Sequence, residues 1–213
     1  MQIEFQNVLP KPLESYNHSQ DSVWKSSFTI NMPKKIVLNA SSGKGKSTFV
    51  NTLYGVRHDY SGIITIDGEA IQDFDMDRWT DLRATYLSVV FQDLQLFPDL
   101  TVWQNLMLKN DLTGHKSEQE ISDMLTHLGI GDKKDQIAQT LSYGQQQRVA
   151  IIRALLQPFK LLLMDEPFSH LDEGNTQLAL ELITKETDAN GGGFILTTLG
   201  SYHDFTFDQE LKL

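Results

Sequence analysis

The sequence predicts an α/β fold from three observations. Alternating strands lie near the N-terminus, an apolar run enters a Gly/Ser/Lys loop and leaves it as a helix, and two later apolar runs flank a helical stretch. IEFQNV (3–8) and SSFTINM (26–32) alternate apolar and polar residues as half-buried strands do. KIVLN (35–39) is a short apolar run that leads into the loop. After Lys46 the period lengthens: Phe49, Val50, Leu53 and Tyr54 share one helical face, and Gly55 suits the C-terminal end of that helix. GIITIDG (62–68) and YLSVVFQ (86–92) read as further strands. From about Thr101 to Gly129 the pattern is helical, with Ile121, Met124, Leu125 and Leu128 on one face, and it reads as a helical insertion. LLLMDEP (161–167) and FILTTLG (194–200) are expected as buried strands, separated by a helix over Gln177 to Thr187.

Composition narrows the function classes. A chain of 213 residues with 40% hydrophobic content suits one packed domain, or a domain with a subdomain. Lys and Arg number 18 against 28 Asp and Glu, so 18 − 28 gives a formal charge of −10 and no electrostatic reason to expect a nucleic-acid partner. The absence of cysteine excludes disulfides and thiolate metal sites. MQIEFQNV lacks the basic start and apolar core of a signal peptide, and no apolar run approaches the roughly 18 residues of a membrane span. Work at a membrane is therefore expected to go through a partner.

The loop has its own chemistry. Residues 38–50, LNASSGKGKSTFV, follow the phosphate-loop pattern G-x-x-x-x-G-K-[ST], except that Ala40 stands at the first glycine. Successive backbone N–H groups in such a turn form an anion cradle, to which the helix dipole and an ammonium add positive charge. Ser41, Ser42, Gly43, Lys44, Gly45, Lys46, Ser47 and Thr48 are thus expected around a triphosphate, with Lys46 at the β- and γ-phosphates and the Ser47 hydroxyl on Mg²⁺. If position 40 requires positive φ, Ala40 strains the turn by roughly 1 kcal/mol. A solvated Ser/Gly/Lys turn is the plain alternative.

LSYGQQQRVAIIRAL followed by LLLMDEPFSHLD resembles the signature motif, Walker B strand and D-loop of ABC ATPases, and VFQDLQLFPDLTVWQNL resembles the family's Q-loop. With the phosphate loop, the likeness runs from near residue 3 to near 200. It is closer to the lipoprotein-release, macrolide-export and cell-division ATPases, which partner mechanotransmitting membrane proteins.

The resemblance implies a P-loop NTPase core of ABC ATPase type with an antiparallel β subdomain and a helical subdomain. It places the core at about 1–91 and 158–213 and the helical part at about 92–157. Glu166 is implied to polarise the attacking water, Asp165 and Gln92 to help hold Mg²⁺, and Gln92 also to contact that water. As consecutive residues at a strand end, Asp165 and Glu166 are expected to face opposite ways. Ser142, Gly144 and Gln145 are implied to meet the γ-phosphate held by the other subunit of a homodimer, although Ser142 and Gln145 also form an ordinary capping box. Asp172 in SHLD matches the D-loop and could equally cap a helix. Tyr16 or Trp24 could stack on adenine, and an exposed tyrosine is the plainer reading of Tyr16.

Two further positions depart from the pattern. Tyr143 stands where the family most often has glycine, and Leu199 where it has the switch histidine, with His203 four residues further on. The resemblance therefore implies an ATP-binding and ATP-hydrolysing subunit, dimerising on Mg-ATP and held at the inner face of the cell membrane by a transmembrane permease or mechanotransmitting partner. A weakly hydrolysing regulatory subunit and a soluble non-transport ABC ATPase are the alternatives. LSYGQ argues against a P-loop kinase or GTPase.

Overall fold

The computed structural model describes residues 1–19, 21–200 and 205–213. In chain order the elements are β1 (Gln2–Pro10), β2 (Ser27–Asn31), β3 (Lys35–Asn39), α1 (Lys46–Leu53), β4 (Tyr60–Ile66), β5 (Glu69–Ala70), α2 (Met76–Thr85) and β6 (Leu87–Val90). There follow α3 (Val102–Asn110), α4 (Glu118–His127), α5 (Tyr143–Leu155), β7 (Leu161–Asp165), α6 (Glu173–Ala189), β8 (Gly193–Thr198) and β9 (Gln209–Lys212). The α/β class and each strand expected from the apolar pattern are present.

The strands form two sheets. One is antiparallel with order β2-β1-β4-β5, and Phe5 on its central strand pairs with Phe28 on one side and Ile64 on the other. Its alternation follows from burial of one face: the Phe5 ring stacks on Phe28 at 4.7 Å and on Phe49 of α1 at 5.4 Å. The second sheet is parallel with order β6-β7-β8-β3-β9. Ile36, Leu38, Leu161, Leu163 and Ile195 pack with α1 and the antiparallel sheet, and Val37, Leu162, Met164, Phe194 and Leu196 pack with α5 and α6. Burial on both faces is why these strands read as continuous apolar runs.

The helical stretch expected over 101–129 holds two helices, α3 and α4. Each opens with its own capping box, Thr101 with Gln104 and Ser117 with Glu120, and the second cap restarts the helix after the turn at Gly114. The helix expected at Gln177–Thr187 lies within the longer α6, which Asp172 caps. Helix α2 has no counterpart in the sequence reading, since only Trp79 and Leu82 of its ten residues are buried. No helix among the described residues is long and apolar enough to cross a membrane. Because β3, β6, β7 and β8 run parallel, the segments leaving their C-terminal ends emerge along one edge of the sheet.

Candidate functional site

The loop from Ala40 to Gly45 leaves β3 at that edge and opens α1. Ala40 is not among the described residues with positive φ, and its N–H donates to Thr198 O at 3.4 Å, so the strain that an alanine would add in a left-handed turn does not arise. The left-handed positions are Gly43, φ 78°, and Gly45, φ 101°. The φ of Gly45 favours glycine, and a Cβ there would lie 2.6 Å from Leu13 Cδ1, so Leu13 would have to shift. A Cβ on Gly43 would meet nothing within 4 Å, so that side of the loop is open. Helix α1 has no side-chain cap at Gly45, which leaves first-turn N–H groups as donors for an anion.

Trp24 does not present a face to a base. It is 2% exposed, tilted against Phe49 with ring centroids 6.0 Å apart, and its indole N–H donates to Lys44 O at 3.3 Å. A large apolar ring with one polar atom is better satisfied beneath the loop than in solvent. Tyr16 is 46% exposed on the segment that follows Leu13.

Lys46 is buried, and its ammonium uses all three donors: Ala40 O at 3.0 Å, Ser41 O at 3.3 Å and Glu166 Oε1 at 3.2 Å. Ser47 Oγ reaches Gln92 Oε1 at 3.2 Å and is also within hydrogen-bonding reach of Asp165. Burial pushes the Asp165 carboxyl above the ordinary aspartate range and Glu166 adds to this, against hydrogen bonds from Ser47 and Thr197 and the charge of Lys46. The two carboxylates do not diverge by strand alternation. Strand β7 ends at Asp165, and Glu166 takes a left-handed backbone, φ 48°, which turns the chain out of the sheet. Thr197 fixes both, donating to Asp165 Oδ1 at 2.8 Å and accepting from Glu166 N at 3.0 Å.

Ser47, Gln92, Tyr143 and Asp165 line one cleft of about 740 Å³. Glu166 lines a second of about 340 Å³ with Pro167, Ser169, Thr197 and Leu199. Among oxygen ligands, one carboxylate with a hydroxyl and an amide oxygen suits Mg²⁺, which takes much of its shell from phosphate and water. Together with the open glycine loop and the uncapped α1, the donor set fits a metal-bound nucleotide.

At the start of α5 the capping box is formed: Ser142 Oγ accepts from Gln145 N at 3.4 Å and Gln145 Oε1 from Ser142 N at 2.9 Å. Gly144 is needed there, because a Cβ would lie 2.7 Å from His170 O. Asp172 caps α6 by accepting from Asn175 N at 2.8 Å, and the backbone and side-chain hydrogen bonds from Asn175 hold its carboxyl below the usual range. Ser142, Gln145 and Asp172 thus do their local work within this chain. His203 lies outside the described residues. Thr197, Gln147 and Arg153 were not singled out from the sequence. Gln147 Nε2 donates to Glu166 O and Ser169 Oγ, and Arg153 to Leu94 O and Gln95 O. Only for Gln147 is there a sequence signal, its place one turn before Ile151 on the apolar face of α5.

The family model described as ABC transporter matches residues 23–169. The lipoprotein-releasing system ATP-binding protein LolD of Treponema denticola is 33% identical over 178 residues, 82% of this chain and 78% of that protein. The dimeric structure of MJ0796, a bacterial ABC transporter cassette, superposes with a TM-score of 0.82 at 26% identity and covers 99% of this chain and 94% of that one. The same cassette in a dimeric post-hydrolysis state with ADP and Pi gives a TM-score of 0.76 at 26% identity, over 92% of this chain and 87% of that one. The chain belongs to the ABC transporter family, as one of its ATPase cassettes.

Proposed function

We propose that this cassette binds Mg-ATP at the α1 end of the site, pairs head to tail with a second copy so that each α5 start closes on the other's nucleotide, and passes the change to membrane-embedded partners. One observation carries the proposal: Lys46, Ser47, Gln92, Asp165 and Glu166, from three separate stretches of chain, meet at one edge of the parallel sheet. Residues 41–48 cradle the phosphates through backbone donors, and Lys46 exchanges part of its present partnership for phosphate oxygens. Ser47, Gln92 and Asp165 hold Mg²⁺, which when bound neutralises charge on the phosphates. Glu166 orients the attacking water and accepts its proton. Tyr16 is the candidate to stack on adenine.

Residues 1–213 form a single cassette, with a core at about 1–91 and 158–213 and a helical part at about 92–157. A name such as lipoprotein-releasing system, carried by a relative, favours a permease or mechanotransmitting partner at the inner face of the cell membrane. The charge of −10 favours no nucleic acid. Turnover by the isolated subunit is slow, because Leu199, beside Glu166 in its cleft, offers no hydrogen bond to the γ-phosphate.

The test is equilibrium ATP binding with Mg²⁺, by wild type and Lys46→Ala, with melting followed on both. Removing a buried charged donor weakens ATP binding by roughly 10²-fold while the cooperative fold persists. Equal affinity in the two proteins ends the proposal.

A further inference from the structure

Tyr143 stands at the first helical position of α5, 41% exposed, with its phenol turned toward the loop that carries Gln92. Its phenol Oη donates to the backbone oxygen of Gln92 at 3.0 Å. The amide oxygen of the same Gln92 accepts from Ser47 at 3.2 Å, so Gln92 is held at both its backbone and its side chain. The Tyr143 ring packs on His170 with centroids 4.2 Å apart. His170 is itself fixed, by Ser169 Oγ at its Nδ1, 2.9 Å, and by its N–H on Gln147 Oε1, 3.2 Å.

We infer that Tyr143 is a positioning residue for Gln92, fastening the loop that carries Gln92 to the start of α5 in the same chain. This rests on Gln92 and Ser47 forming the metal side of the nucleotide site. The loop needs fastening: Leu94 and Gln95 are consecutive non-glycine residues with φ of 60° and 51°, a conformation that persists only where surroundings impose it. Arg153, near the other end of α5, donates to Leu94 O and Gln95 O, each at 2.7 Å. The loop 92–95 is therefore gripped from both ends of one helix, and it shifts when α5 shifts. With glycine at 143 only the Arg153 end would remain.

Tyr143→Phe deletes the hydroxyl and keeps the ring against His170. Two quantities are read on the full chain: hydrogen exchange of residues 92–96 without nucleotide, and the Mg²⁺ concentration that half-maximally tightens ATP binding. Loss of one hydrogen bond speeds exchange about 3- to 10-fold and raises the Mg²⁺ requirement by a similar factor, with melting and metal-free ATP affinity close to wild type. Tyr143→Gly shows the same two changes, because it also lacks the phenol. Exchange unchanged in Tyr143→Phe overturns the tether. Faster exchange with an unchanged Mg²⁺ requirement overturns the positioning role. A wild type that binds no ATP would instead remove the nucleotide reading, and the exchange rates would still decide the tether.

Discussion

Helices α1 and α5 both open toward the site, yet they are built in opposite ways. Helix α1 starts at Gly45, φ 101°, with no side-chain cap, and Lys46 stands in its first turn. Helix α5 starts at Ser142, φ −61°, with a reciprocal capping box that uses the N–H of Gln145 and of Ser142 itself. The two starts therefore differ in the donors they leave open to an anion within one chain. At α1 the first-turn donors face an open glycine loop, so they are available to phosphate. At α5 the cap consumes donors, and the N–H groups of Tyr143 and Gly144 are what its first two helical positions can still offer a second molecule.

Leu199→His separates binding from turnover at the site by adding a single donor. Leu199→His places a donor beside Glu166 without altering the loop or either helix start. Turnover should rise by about 10²-fold with ATP affinity unchanged, since one preorganised donor is worth about 10² to 10³ in rate. Steady-state hydrolysis and equilibrium binding on the two proteins check it. A brisk wild type, unmoved by this substitution, would show that another group supplies the donor.

A smaller effect probes the α5 start. Ser142→Ala removes the cap and should cost about 1 kcal/mol of stability in urea denaturation. ATP affinity of the dilute single chain should stay close to wild type, because the nucleotide site proposed for that chain lies at α1. A loss as large as that of Lys46→Ala would mean that both starts grip the same phosphate.

What could be read in the sequence follows the same division. The β3–loop–α1 unit is local, so periodicity and glycine spacing reveal it, and the Ser142/Gln145 box is visible three residues apart. Helix α2 escaped because a helix held by Trp79, Leu82 and Arg83 has no apolar stripe; Trp79 packs where a Cβ on Gly55 would lie, and Arg83 donates to Tyr54 and Gly55 oxygens. Thr197 looked like one more residue of a buried strand, and only parallel pairing with Asp165 brings its hydroxyl to the carboxylate. The contact from Tyr143 to Gln92 spans 51 positions and leaves no periodic trace. For Trp24 the sequence leaves stacking and core open, because an aromatic near a nucleotide loop suits both, and burial decides for the core. The backbone of Glu166 shows the same limit, since nothing in MDEP announces a left-handed glutamate.

In the proposed pairing two copies share what one copy half builds, and size-exclusion chromatography of Glu166→Gln with Mg-ATP is its direct test. The amide keeps the shape of the carboxylate but cannot accept the proton, so hydrolysis should fall by about 10² to 10⁴ and the ATP-bound pair should persist long enough to elute. The predicted result is a dimer that appears with Mg-ATP and disappears without nucleotide. A monomer at every concentration, with the membrane partner present as well as without it, would contradict shared sites.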